Sequence, residues 1–170
     1  MKLIFCVLAL VVTKPQDAKL VPMHLPGESG LIVAEWTPTG TGPWIFNHLL
    51  HAERRVTFGT HYEAYTRPVL RLSIGAVHHV RSRPVTIVRN RKHVIFAFWR
   101  RVGPMFEAGL YLDGRLVGHL WEPWRGYKTW TWPGWIGARG LEPVGDPSFP
   151  KGARQHADGK LSMWVFSGVK

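Results

Sequence analysis

The chain of 170 residues contains one cysteine, Cys6. A single cysteine excludes a disulfide within the chain, and it excludes a zinc site built from several cysteines. Cys6 lies in an apolar run with no histidine or other base beside it. We therefore expect Cys6 to be a small buried hydrophobic residue.

Acidic residues are also scarce, because 11 Asp and Glu stand against 22 Lys and Arg and leave a formal net charge of +11. Between Glu63 and Glu107 there is no acidic residue at all. Such a surplus attracts polyanions, and forked guanidinium groups suit phosphate in particular. The alternative is that these cations pair with acidic residues elsewhere or lie on opposite faces. The basic residues in this stretch are Arg67, Arg71, Arg81, Arg83, Arg89, Arg91, Lys92, Arg100 and Arg101.

Long hydrophobic runs are missing too, since the longest covers residues 3–12 and a membrane-spanning helix needs about 20 residues. Lys2 and this run have the charged start and apolar core of a secretory signal, but 13–18 lack a small-residue cleavage site. The β-branched and aromatic residues of the run favour a first strand instead. This interpretation favours a protein inside the cell or within a particle, and the signal interpretation implies a secreted one.

The length fits one domain over residues 1–170. The pattern predicts one short helix over 43–55, because Pro43 suits a first helical turn and Arg54 and Arg55 suit the negative end of the helix dipole. Trp44, Ile45, His48, Leu49 and Ala52 then fall on one stripe.

The remaining pattern predicts strands. Leu70, Leu72 and Ile74 alternate with polar residues, and 85–88 and 94–99 are two apolar runs that predict a hairpin with a cationic tip. Asp113-Gly114 predicts a type I′ turn that pairs Leu112 with Arg115. This pairing places Trp121 on the same face as Phe106 and Tyr111 on the other face. Because both faces are substantially apolar, we expect the hairpin to lie inside the domain.

Residues 122–160 are interrupted by many prolines and glycines and predict a long loop-rich excursion before a final strand over 161–166. The predicted fold class is therefore α+β, with a mainly antiparallel sheet, the short helix and this Trp-, Pro- and Gly-rich region. This region and the preceding Trp121 hold a cluster of aromatic and basic residues that would stack on bases or sugars or sit at a membrane interface if exposed, or cover the sheet if buried. The cluster is Trp121, Trp124, Arg125, Tyr127, Lys128, Trp130, Trp132 and Trp135.

Motifs for catalysis fail one by one. Gly27-Glu28-Ser29-Gly30-Leu31 lacks the second glycine of a nucleophile elbow, and the glycines at 40–42 lack the partners of a nucleotide-binding loop. His48 and His51 are weak metal candidates, with Glu53 nearby, because their spacing does not match a metalloprotease helix. We expect no catalytic residue, no bound metal and no cofactor.

The leading hypothesis is a non-enzymatic protein that binds nucleic acid or another polyanion through an arginine-rich β surface and a tryptophan-rich loop. The first alternative is a structural component of a viral or phage particle, with an oligomer or larger assembly as its state. The second is a secreted binder or a metal-dependent hydrolase. The predicted polyanion-binding residues are Arg71, Arg81, Arg83, Arg89, Arg91, Lys92, Arg100, Arg101, Trp124, Arg125, Lys128 and Trp130.

Overall fold

The computed structural model describes residues 2–12, 19–25, 28–39, 46–52, 56–63, 67–127, 130–137, 157 and 159–169. These residues form twelve strands and no helix. In chain order the strands are β1 (Lys2–Val12), β2 (Lys19–Leu25), β3 (Ser29–Pro38), β4 (Phe46–Ala52), β5 (Val56–Glu63), β6 (Arg67–Ile74), β7 (His78–Arg81), β8 (His93–Val102), β9 (Met105–Leu112), β10 (Arg115–Pro123), β11 (Trp130–Ile136) and β12 (Gly159–Val169).

The strands are arranged in two six-stranded antiparallel sheets. Sheet A has the order β1-β12-β3-β8-β9-β10, and sheet B has the order β2-β11-β4-β5-β6-β7. Buried side chains from both sheets form one hydrophobic core, so the fold is a jelly-roll-like β-sandwich.

The predicted α+β class is wrong because the expected helix over 43–55 is a strand where the structure describes it. Residues 46–52 are β4, while 43–45 and 53–55 lie outside the described residues. β4 pairs with β5 and β11, which supply its backbone hydrogen bonds from neighbouring strands. A bulge between His48 and Leu50 accompanies the burial of both Leu49 and Leu50, so β4 lacks the simple alternation that identifies a strand from sequence.

Alternation in the other strands explains where the core lies. Leu70, Leu72 and Ile74 of β6 are buried, and Arg71 between them is exposed, which confirms the strand predicted there. The largest buried side chains are Trp36, Trp99, Phe58 and Phe106.

The predicted hairpin at Asp113-Gly114 is confirmed. Both residues have positive φ, at 50° and 80°, and Leu112 pairs with Arg115. A bulge between Leu116 and Gly118 then shifts the register, so Trp121 lies opposite Glu107 and not opposite Phe106. The prediction that this hairpin lies inside the domain is wrong, because β10 is an edge strand of sheet A.

Residues 82–92 connect β7 in sheet B to β8 in sheet A without forming a strand, so the predicted strand over 85–88 is wrong. The backbone N–H groups of this loop are bonded to both sheets. Those of Ser82 and Val85 donate to carbonyls of β6, whereas that of Arg83 donates to the Val117 carbonyl on β10 at 3.0 Å. The loop closes one edge of the sandwich.

The first and last strands pair along their whole length, β1 with β12. β1 lies in the apolar run where the sequence favours a first strand. The predicted final strand is confirmed in β12, and the expected loop-rich excursion contains β11, with 138–156 outside the described residues. Among the described residues no helix is long and apolar enough to cross a membrane.

Candidate functional site

The outward face of sheet A carries two adjacent rows of mainly apolar residues that cross the strands. Pairing defines each row, because residues opposite one another in an antiparallel sheet point to the same side. One row is Trp164, Val33, Phe96, Tyr111 and Leu116. The other is Phe166, Leu31, Phe98, Gly109 and His119. We call these ten residues the aromatic band.

Three rings at the centre of the band contact one another. Phe96 and Tyr111 are nearly perpendicular, with centroids 5.4 Å apart and an interplanar angle of 83°. Phe98 lies 6.2 Å from Phe96 and 6.4 Å from Tyr111, tilted by 49° and 39°. Tilted and edge-to-face pairs are the favoured aromatic geometries. All three side chains are partly exposed, so the band presents ring surface to solvent.

Gly109 makes room for one of these rings. A Cβ at this position would lie 2.3 Å from Phe98 Cε1 and 2.9 Å from Phe98 Cζ. Any side chain at position 109 therefore displaces the Phe98 ring. The absence of a Cβ at Gly109 allows the ring to lie flat against the neighbouring strand.

A polar row on β8, β9 and β10 borders one long side of the aromatic band. Arg100 Nε donates to Glu107 Oε2 at 2.6 Å, and His119 Nε2 lies 3.2 Å from Glu107 Oε1. The hydrogen bond from Arg100 lowers the pKa of the Glu107 carboxyl, and the bond with His119 acts in the same direction. Trp121, opposite Glu107 on β10, is 50% exposed. An exposed indole thus stands beside a charged hydrogen-bonding network.

The opposite long side is bordered by Glu35 of β3, whose Oε1 lies 3.4 Å from Lys92 Nζ. At the hairpin tip beyond it, Asp113 accepts hydrogen bonds from Val94 N–H and His93 Nδ1, both at 2.9 Å. Burial raises the pKa of Asp113, but these two hydrogen bonds, together with the charges of His93 and Arg91, outweigh it and leave the pKa below its ordinary value. The ends of β8 and β9 are held together at this side of the band.

A groove of about 860 Å³ adjoins the band at the edge strand β10. Its walls are residues 81–85 and 116–119, so Leu116 and His119 belong to both groove and band. Arg81 and Arg83 are exposed on its other wall. The band therefore ends beside a cationic groove.

The basic residues predicted from the sequence do not form one surface. Arg71 and Arg81 lie opposite each other on sheet B, whereas Arg100 and Arg101 lie on β8 of sheet A. Arg67 is the first residue of β6, and its side chain is not among those that the structure describes. The other predicted cations of this stretch are exposed in the loop 82–92, namely Arg83, Arg89, Arg91 and Lys92.

Several of these cations pair with acidic residues on strands or beside them. The ion pairs are Lys92–Glu35 at 3.4 Å, Arg91–Asp113 at 3.9 Å, Arg100–Glu107 at 2.6 Å and Arg101–Glu28 at 3.1 Å. The stretch that lacks acidic residues in the sequence is therefore partly neutralised in the fold.

Only part of the predicted tryptophan cluster belongs to the residues whose side chains the structure describes. Trp124 is half-buried, with its ring 5.9 Å from Phe106 and 5.3 Å from the Arg101 guanidinium carbon. Arg125 is exposed and pairs with Glu122 at 3.3 Å. Lys128 lies outside the described residues, and Trp130 begins β11 with its side chain outside them.

A buried histidine beneath Trp124 links the two sheets. His78 Nδ1, on β7, lies 2.6 Å from Glu122 Oε1 on β10, and the ring stacks on Phe106 at 3.8 Å. Tyr127 contacts the same cluster, and burial, together with the negative charge of Glu28, raises the pKa of its hydroxyl. We assign this cluster to the closure of the sandwich.

The weak metal candidates His48 and His51 lie on a strand and not on a helix. Register places them opposite Gly59 and Thr57 on β5. In the part of the chain that the structure describes, no group of His, Cys, Asp or Glu is arranged to hold a metal ion, and Glu53 lies outside that part.

Sequence reasoning missed the aromatic band and the outward position of Trp121. The signal for the band was present, since Phe96 and Phe98 alternate with the buried Ala97 and Trp99. A strand that is apolar on both faces indicates either an interior strand or an exposed binding surface. Because the hairpin at Asp113-Gly114 was interpreted as interior, an exposed binding surface was not predicted.

The geometry defines a β-sandwich with an aromatic outward face, and solved structures share this fold. A native heptameric SAP-like pentraxin from Limulus polyphemus matches with a TM-score of 0.58 and 14% identity, over 94% of this chain and 75% of that one. The CBM40 of the Ruminococcus gnavus IT-sialidase, bound to α2,3-sialyllactose, matches with a TM-score of 0.51 and 12% identity, over 86% and 79%. No family model matches the sequence, and no curated protein matches it.

These findings overturn the predicted function. Nucleic-acid or polyanion binding and a role in virion assembly are wrong, as is the predicted nucleic-acid partner, because the fold is that of a pentraxin and of a carbohydrate-binding module. The physical basis of the prediction also fails, since the basic stretch is divided between two sheets and partly ion-paired. The assignment of the predicted residues to a ligand-binding site stays a prediction.

Proposed function

We propose that the chain binds carbohydrate on the outward face of sheet A. The observation that carries the proposal is the aromatic band with its polar border. A sugar ring has an apolar C–H face and a rim of hydroxyl groups. Aromatic rings cover the first, and charged side chains hydrogen-bond the second.

The parts of the surface match these two requirements. Phe96, Phe98 and Tyr111 supply tilted rings at the centre of the band. Arg100 and Glu107 supply a guanidinium group and a carboxylate along its side. Because the Glu107 pKa is lowered, this carboxyl is an anion and an acceptor for hydroxyl groups at neutral pH.

The fold supports the same assignment. The CBM40 with which the chain shares its fold was solved with a bound sialylated sugar. A β-sandwich leaves the outward face of each sheet free for a ligand, because the inward faces form the core. The proposal places the ligand on the face of sheet A that is rich in aromatic residues.

Trp121 is the side chain that best tests the proposal. It is half exposed and projects beside the Glu107 network, so its removal takes away ligand surface without opening the core. We expect a glycan array to give binding to at least one carbohydrate, and Trp121→Ala to weaken that binding about tenfold, or 1.4 kcal/mol.

The matched control is Val88→Ala, because Val88 is 43% exposed in the loop 82–92 and lies off the band. Titration calorimetry with the strongest array ligand measures both variants. Full affinity in Trp121→Ala, or no binding to any carbohydrate by the wild-type chain, contradicts the proposal.

A further inference from the structure

We infer that the carbohydrate is a single soluble glycan chain of four or more sugar units that crosses the strands of sheet A. This inference rests on the proposed function and adds the form of the ligand. The alternatives are a short terminal sugar group and the flat surface of a crystalline polysaccharide. Three properties of the aromatic band favour the extended chain.

The first property is the shape of the band. Its side chains lie on five neighbouring strands, β12, β3, β8, β9 and β10, so its length is about 19 Å at a strand spacing near 4.8 Å. Its two rows are two residues apart along β12, β3, β8 and β9, and three apart across the bulge of β10, so its width is about 7 Å. One strand spacing is close to the length of one sugar unit in an extended chain, so the band accommodates about four or five units in single file.

The second property is the placement of the polar groups. Arg100 and Glu107 lie along one side of the band, where Glu107 contacts His119 of the band, and Glu35 with Lys92 lies along the other side. A site for one terminal sugar needs polar groups that converge on a point. Polar groups spread along two sides suit hydroxyl groups that project from successive units of a chain.

The third property is the tilt of the rings. The interplanar angles among Phe96, Phe98 and Tyr111 are 39°, 49° and 83°. Rings that stack together on a crystal surface must share one plane, and these rings do not. A single chain can turn successive sugar rings to meet differently oriented aromatic faces, because no lattice holds it.

The far end of the band provides a sharp test. Trp164 lies on β12, three strand spacings from Tyr111 on β9, or about 14 Å. A disaccharide at the centre does not reach both residues, whereas a chain of five units does. We therefore expect Trp164→Leu to weaken binding of a pentasaccharide about tenfold and to leave disaccharide binding within twofold.

The experiment measures affinity against ligand length. The full chain, the Trp164→Leu variant and the Val88→Ala control are titrated with cello-, manno-, xylo- and chito-oligosaccharides of two to six units. Thermal unfolding checks that each variant is folded. We expect one series to gain at least tenfold in affinity between two and five units, and the wild-type chain not to sediment with crystalline cellulose or chitin.

Each other result separates this inference from the proposed function. A disaccharide that binds as tightly as the pentasaccharide overturns the extended chain and leaves carbohydrate binding standing. Binding only to branched or terminal sugars on an array, or only to the crystalline polymers, has the same meaning. No binding to any carbohydrate overturns both.

Discussion

Asp113 gives the most exacting test of how the binding face is held. It occupies the first position of the β9–β10 turn, with φ at 50°, and accepts hydrogen bonds from His93 Nδ1 and Val94 N–H, both at 2.9 Å. His93 is 1% exposed, and its Nε2 accepts from Val88 N–H at 2.9 Å, which leaves Nδ1 as the nitrogen that donates to Asp113. Asp113→Ala leaves that Nδ1–H buried without a partner.

The expected loss of stability has two parts. A buried donor without an acceptor costs about 1–3 kcal/mol, and a left-handed conformation at an alanine costs about 1–2 kcal/mol. The Val94 N–H adds little, because Val94 is exposed and water can replace Asp113 there. We therefore expect Asp113→Ala to lower the free energy of unfolding by about 2–5 kcal/mol.

Asp113→Asn is the matched variant, because asparagine tolerates positive φ and keeps one oxygen for the Val94 N–H. It loses the acceptor for His93 and the exposed ion pair with Arg91, which contributes little, so we expect a cost near 1–3 kcal/mol and below that of the alanine variant. Urea unfolding followed by tryptophan fluorescence at pH 7 measures all three proteins. An alanine variant within about 0.5 kcal/mol of wild type refutes this account of the turn.

Three further predictions concern the same face. A Cβ at Gly118 would lie 2.7 Å from the Arg81 carbonyl oxygen, so Gly118→Ala forces the backbones of β7 and β10 apart. We expect this variant to lose about 1–3 kcal/mol of unfolding free energy, measured by thermal or urea unfolding. An unchanged unfolding midpoint would show that β7 and β10 separate freely. Gly109→Ala displaces the partly exposed Phe98 ring, so we expect a free energy of unfolding within about 1 kcal/mol of wild type but weaker carbohydrate binding. A carbohydrate affinity equal to that of the wild type would exclude Phe98 from the binding site. The lowered pKa of Glu107 means that its stabilisation is present above the unfolded pKa and lost as pH falls through the lower folded value. The deficit of Glu107→Gln in urea unfolding should therefore be larger at pH 7 than at pH 2.5, and a deficit independent of pH would contradict the role of the charge.

Two local patterns in the sequence predicted local structure correctly. Alternation at Leu70, Leu72 and Ile74 identified β6, and Asp113-Gly114 identified the β9–β10 turn with its register at the first pair. Both signals depend on residues within a few positions of one another. The pattern over 43–55 misled because pairing partners on β5 and β11 decide the conformation of β4.

Contacts between residues far apart in the chain determine the ion pairs and the position of Trp121, which sequence patterns do not predict. Lys92 is 57 positions from Glu35, and Arg101 is 73 positions from Glu28, so no local pattern reveals these ion pairs. The outward position of Trp121 depends on a bulge of one residue after Leu116. That bulge lies where the Val117 carbonyl accepts from Arg83 N–H, 34 positions earlier in the chain, and sequence reasoning had no access to this contact.

The loop 82–92 has a consequence for how the molecule opens. Along this loop the backbone hydrogen bonds go first to one sheet and then to the other, from Ser82 to β6, from Arg83 to β10, from Val85 to β6 and from Asn90 to β3. Neither sheet can detach at this edge without breaking bonds to its partner. Native-state amide exchange should therefore show β6, β7 and β10 opening together, as one cooperative unit, even though they belong to different sheets.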